Sequence, residues 1–142
     1  MAYTIEKVEV WTGTMQDKPG GLAVKLAVLA EAGVNLEFVL ARRDKPGKGI
    51  VFLAPLRGAK ATAAAKKARV KKTDKLHALR VVGGDKPGLG ASMTGALAGA
   101  GINVRGLSAM ALGKKTVVYL ALDTKADAAK AKKVLSQELG VK

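Results

Sequence analysis

The chain has 142 residues, with 25 Lys and Arg against 11 Asp and Glu, no Cys, and a formal charge of +14. The lack of Cys excludes disulfides, thiolate metal sites and thiol nucleophiles, and no apolar run reaches membrane-spanning length. The charge invites a nucleic acid or an anionic surface as partner. Its densest runs, however, around Lys60, Lys66, Lys67 and Arg69 and around Lys125, Lys130, Lys132 and Lys133, alternate with Ala at helical spacing, the pattern of a solvated helix face.

In chain order, residues 1–6 carry no signal pattern, so a soluble cytoplasmic protein is expected. Val8, Val10, Thr12 and Thr14 alternate with Glu9, Trp11 and Gly13, which predicts a strand. Asp17-Lys18-Pro19-Gly20 ends it, with Pro19 suited to a first helical position. Leu22, Leu26 and Leu29 then form the stripe of a helix that Gly33 stops. From Asn35 a second strand is predicted through Leu36, Phe38 and Leu40. The next Asp-Lys-Pro-Gly, Asp44 to Gly47, lies between two strand patterns and reads as a hairpin turn. Ile50 to Ala54 is a continuous apolar strand, expected to be covered on both faces. An Ala- and Lys-rich helix follows from Ala59 to about Arg69.

The second half replays the first. Positions 17–35 and 85–103 share 10 identities in 19 without a gap, concentrated at the helix start and the helix end. A strand over Leu76 to Val82 leads to Asp85-Lys86-Pro87-Gly88, a helix to Ala100, Gly101-Ile102-Asn103, and strands to Leu112 and over Thr116 to Leu122. Thr124 is set to cap a last helix with the stripe Ala128, Ala131, Leu135 and Leu139, stopped by Gly140. The period predicts two units, residues 1–74 and 75–142, each too small to be robust alone and expected to pack as one body. Each reads as β-α-β-β-α with room for a closing strand, which in the second half is either absent or lent by the first. The expected fold class is α+β: two ferredoxin-like units with antiparallel sheets and helices on one face.

A strand, then Asp-x-Pro-Gly opening a helix, then Gly-[Val/Ile]-Asn opening the next strand, present in both halves, resembles the ACT domain. That family consists of small regulatory modules that typically bind amino acids. The resemblance covers nearly the whole chain, and no attached catalytic domain is expected. It implies a tandem ACT protein with an amino-acid effector between paired modules, a homodimer, and a regulated enzyme as partner. The effector contacts it implies are Asp17, Lys18, Pro19, Gly20 and Asn35 in the first copy and Asp85, Lys86, Pro87, Gly88 and Asn103 in the second. Some members carry a His two residues before the loop's polar position, where this chain has Met15 and Gly83.

The chemistry of these residues supports the same reading. Free N–H groups at a helix start accept a carboxylate, Asp17 or Asp85 accepts an ammonium group, and Asn35 or Asn103 both donates and accepts. The competing reading is structural: Asp-x-Pro-Gly is also ordinary helix-start chemistry, and an Asn after a helix-stopping Gly often satisfies only loop backbone.

Other functions fit less well. Asp44, Asp74 and Asp123 do not pair, and His77 has neither Cys nor His beside it, so no catalytic or metal site and no cofactor is expected. Gly88-Leu89-Gly90 continues to Met93 where a dinucleotide loop needs Gly. Nucleic acid ranks below an amino acid, because Lys48-Gly49-Ile50-Val51-Phe52-Leu53 offers one aromatic where RNA-recognition strands offer several. A ligand-free interaction module is the remaining alternative, with Trp11, Val39, Val51, Leu53 and Tyr119 as its apolar sheet surface.

Overall fold

The computed structural model describes residues 2–141. Its elements run β1 (Thr4–Val8), β2 (Trp11–Gln16), α1 (Gly21–Glu31), β3 (Phe38–Lys45), β4 (Lys48–Ala54), α2 (Gly58–Ala68), β5 (Lys71–Lys72), β6 (His77–Gly84), α3 (Leu89–Gly99), β7 (Val104–Leu112), β8 (Lys115–Leu122) and α4 (Lys125–Leu139). Two four-stranded sheets result, ordered β3-β4-β2-β5 and β1-β6-β8-β7. Every strand pair is antiparallel. This is the α+β, ferredoxin-like plan, with α1 packed on α2 in one unit and α3 on α4 in the other.

The opening strand of the sequence reading divides in two. Residues 4–8 pair with β6, from Thr4 opposite Val82 to Val8 opposite Ala78, while Trp11 starts a separate strand opposite Leu53 of β4. The units accordingly are Glu9–Thr73, here the inserted unit, and a flanking unit made of the segment ending at Val8 and the segment beginning at Asp74. This differs from a division of 1–74 and 75–142 in giving the first eight residues to the second copy. The physical reason lies at the edge of β6, whose backbone N–H and C=O groups need a neighbouring strand. β1 pairs with that edge, in the place that β5 takes beside β2.

Each unit has its own core. Ile5 joins Leu79, Val81, Met93, Leu97, Leu120 and Leu135 in the flanking unit; Trp11, Leu29, Val51, Leu53, Ala65 and Val70 fill the inserted unit. Trp11, Val51 and Leu53 therefore face their own helices and do not form an outer apolar surface, whereas Val39 is 44% exposed and Tyr119 half-buried. Nor is β4 covered equally on both faces: Val51 and Leu53 are fully buried, and Ile50 and Phe52 between them are half-buried. Helices lie on one face of an antiparallel sheet, and the alternation follows.

Matched ends frame α1 and α3. Gly33 and Gly101 take φ of 75° and 74°, and the next N–H reaches back to Leu29 O at 3.1 Å and to Leu97 O at 2.9 Å, closing each helix in a left-handed turn. α2 ends on Arg69 at φ 59°, the one residue other than Gly with positive φ among the described residues.

Candidate ligand site

Both helix-start motifs fold alike. Gly21 N–H donates to Lys18 O at 3.1 Å and Leu89 N–H to Lys86 O at 3.4 Å. Gly20 has φ 85° and ψ −10°, Gly88 φ 80° and ψ 1°. Lys-Pro-Gly is thus a type II turn, whose third position needs φ near +80° and hence Gly. Pro19 and Pro87 sit inside this turn, and the helices begin two residues after them, because the glycine takes the N-cap position.

The turn is tied to the far hairpin of its own sheet. Asp17 N–H donates to Gly47 O at 3.2 Å, and Asp85 N–H to Lys114 O at 2.8 Å. The third Asp-Lys-Pro-Gly copy, a hairpin turn between β3 and β4, thereby supports the first. Neither α1 nor α3 has a side-chain cap or an acidic residue in its first turn. By contrast α4 has both, with Thr124 Oγ1 accepting from Asp127 N–H at 3.0 Å. The amides that open α1 and α3 are thus left without the side-chain acceptor that a capped helix supplies.

The two carboxylates differ. Asp17 pairs with Arg43 Nε on β3. Ala111 takes the place of Arg43 in the second copy, and among the described residues Asp85 has no side-chain partner. Arg43 has no counterpart in the motif itself, and the aligned Arg and Ala are the only sequence signal for it.

Asn35 and Asn103 are exposed in the loops that lead to β3 and β7, and neither side chain has a partner among the described residues. Neither side chain holds loop backbone in place. Asn35 borders a hollow of about 230 Å³ with Gly33, Pro55, Arg57 and Lys60. Within a unit the turn and the asparagine do not meet: α1 and α3 have 11 residues each, which separates their ends by about 16 Å.

A groove of about 560 Å³ runs beside the first turn, walled by Lys18, Pro19 and Gly20 together with Met15, Val24, Lys25 and Arg69. Lys25 is 8% exposed, and its Nζ donates to Ala68 O at 2.7 Å and Arg69 O at 3.4 Å. Burial, and then the Arg69 guanidinium, push its pKa below the ordinary lysine value. Lys25 sits between Leu22 and Leu29 on the core stripe, opposite Met93 in the alignment. A charged residue at a core position was the available signal.

Among the described residues no three His, Cys, Asp or Glu gather as metal ligands, and no helix is long and apolar enough to cross a membrane. His77 Nε2 lies 3.0 Å from Asp74 O.

No protein-family model and no curated protein matches the chain. Solved structures do. A protein of Bacteroides thetaiotaomicron superposes with a TM-score of 0.78 at 20% identity, over 94% of this chain and 90% of that one. The ligand-free regulatory subunit of aspartate kinase from Thermus thermophilus gives 0.65 at 16% identity, over 97% of both chains. Aspartokinase III of E. coli, in complex with aspartate and ADP, gives 0.64 at 16% identity over 98% of this chain and 33% of the enzyme. Similarity at this level of identity establishes the fold alone: the chain has the two-unit α+β fold of these structures.

Proposed function

We propose that the protein is a regulatory module whose effector is an amino acid and whose partner is an enzyme under its control. The observation that carries this is the pair of matched helix starts, each opened by a left-handed glycine and left without a side-chain cap. A carboxylate fits those N–H groups and the positive end of the helix. Asp85 offers its unpartnered carboxylate to the ammonium group; Asp17 does so in competition with Arg43. Asn35 and Asn103, exposed and uncommitted, supply the remaining polar contacts. Because α1 and α3 separate turn from asparagine, an effector that touches both draws them from different ACT-type units. Support for a regulated enzyme comes from the regulatory subunit of aspartate kinase that shares the fold.

Thermal unfolding of the full chain against the twenty amino acids tests this reading. An effector at about 100 times its Kd raises stability by about 2.7 kcal/mol. If no amino acid moves the transition, the reading fails.

A further inference from the structure

The groove beside the first turn poses an electrostatic problem that the amino-acid reading does not address. Lys18, Lys25, Lys67 and Arg69 all line it, and no acidic residue does. Among the described residues none of the four reaches a carboxylate, while Arg43, Arg57, Lys72, Arg80 and Arg105 elsewhere each pair with one. Lys25 is the sharpest case, a buried ammonium whose partners are two neutral carbonyls, one of them at 3.4 Å. Desolvating a charge for such partners is costly.

Capping the end of α2 is not reason enough for it. The left-handed Arg69 already closes that end, with Val70 N–H on Ala65 O at 2.9 Å. The other copy does without the charge: Met93, fully buried, fills the matching place. There, moreover, the ring of Tyr3 lies over Gly83, whose counterpart Met15 lines the open groove. The second copy thus has a thioether and an aromatic ring where the first keeps a buried ammonium and an open groove. Met15, Pro19, Val24 and Val28 give the wall an apolar part, beside the neutral polar Thr14 and Gln16.

We infer that the groove of the inserted unit binds a small organic dianion with an apolar body, a phosphate monoester or a dicarboxylate. The two charges lie among Lys25, Lys18, Lys67 and Arg69, and the body lies on Val24 and Val28. This site goes beyond the amino-acid reading, since it uses neither an ammonium acceptor nor Asn35.

Calorimetric titration of the full chain with phenyl phosphate, phthalate and inorganic phosphate is the test. One of the two aromatic dianions should saturate a single site and bind at least about ten-fold tighter than inorganic phosphate, because burying the ring on the apolar wall adds free energy. Preference for phenyl phosphate identifies a phosphate ester as the natural class, and preference for phthalate a dicarboxylate. Lys25→Met should weaken binding by about ten-fold or more, the usual effect of losing a charge-assisted hydrogen bond. Arg69→Gly should act in the same direction, and the fold tolerates it because glycine suits φ 59°. Lys133→Ala removes an equal charge from an exposed position on α4 and should change affinity by less than about two-fold. Failure of both aromatic dianions to saturate at millimolar concentration overturns the inference, and so does a loss in Lys133→Ala equal to that in Lys25→Met. Amino-acid titrations of the same variants report on the effector reading separately, so either can fail alone.

Discussion

The Tyr3 ring occupies the space that a side chain at Gly83 would need. A Cβ on residue 83 would run into Tyr3 Cδ1, and the Tyr3 hydroxyl donates to Gly84 O at 2.6 Å. The contact pins the start of β1 to the strand beside it. Gly83→Ala must expel the ring, and we predict a loss of about 1 to 3 kcal/mol, the usual cost of overpacking. Tyr3→Phe keeps the ring and loses the hydroxyl bond, for about 0.5 to 1.5 kcal/mol. Urea unfolding of both variants checks the order; a Gly83→Ala protein as stable as the parent would mean that Tyr3 is easily displaced.

Ile5 stands before the inserted unit in sequence and in the core of the flanking unit in space. Ile5→Ala should therefore cost about 2 to 4 kcal/mol, and the loss should fall on the second copy. Hydrogen exchange should lose protection in β6, β8, α3 and α4 while β2 and β4 keep theirs. Equal losses in β2 and β4 would contradict a strand lent to the flanking unit.

Elements governed by local chemistry were legible in the sequence. The Gly33, Gly101 and Gly140 helix stops, the Thr124 cap and the hairpin at Pro46-Gly47 all follow from residues within a few positions of one another. What was not legible depends on the partner of a backbone edge. The period-two pattern from Val8 to Thr14 is the same whether one strand or two carry it, and the strand breaks after Val8 because β1 belongs to the sheet of the flanking unit. A helix start at Pro19 or Pro87 lies two residues too early for a related reason, since a left-handed glycine behind proline can close a turn before the helix begins. At the candidate site the turn that the motif forms was legible, and so was a difference between the copies at Met15 and Gly83, but not the side chains that make Asp17 and Asp85 unequal. Arg43 on Asp17 and Lys25 beneath the turn come from outside the motif.

Lys25 should leave a signature in the pH dependence of stability. Its native pKa lies below the ordinary 10.5, so between the two values the unfolded chain binds more protons than the native one. Stability then rises with pH across that window, and below it the full cost of burying the charge is present. The Arg69 guanidinium, the neighbouring cation, acts on Lys25 in the same sense as burial. Lys25→Met should abolish this rise and leave stability at neutral pH equal to or above that of the parent. Denaturant midpoints from pH 7 to 10.5 decide it; a large loss at neutral pH in Lys25→Met would mean that the two carbonyl bonds outweigh the burial of the charge.

The two effector sites should differ, because Arg43 occupies Asp17 and nothing matches it at Asp85. Asp85→Asn is expected to weaken amino-acid binding by about 1.5 to 3 kcal/mol, the range for a charge-assisted hydrogen bond, and Asp17→Asn by less. Arg43→Ala should release Asp17 and tighten binding at the first turn, at a cost in stability of about 1 kcal/mol or less for an exposed pair. Asn35→Ala and Asn103→Ala should each weaken one class of site by about 1 to 3 kcal/mol and leave unfolding nearly unchanged, because both side chains are exposed and unpartnered. Calorimetry with the amino acid that stabilises the parent measures all five variants on one scale. Unchanged binding in both asparagine variants would confine the effector to the turn, and equal losses in Asp17→Asn and Asp85→Asn would show that the Arg43 pair gives way when the ligand arrives.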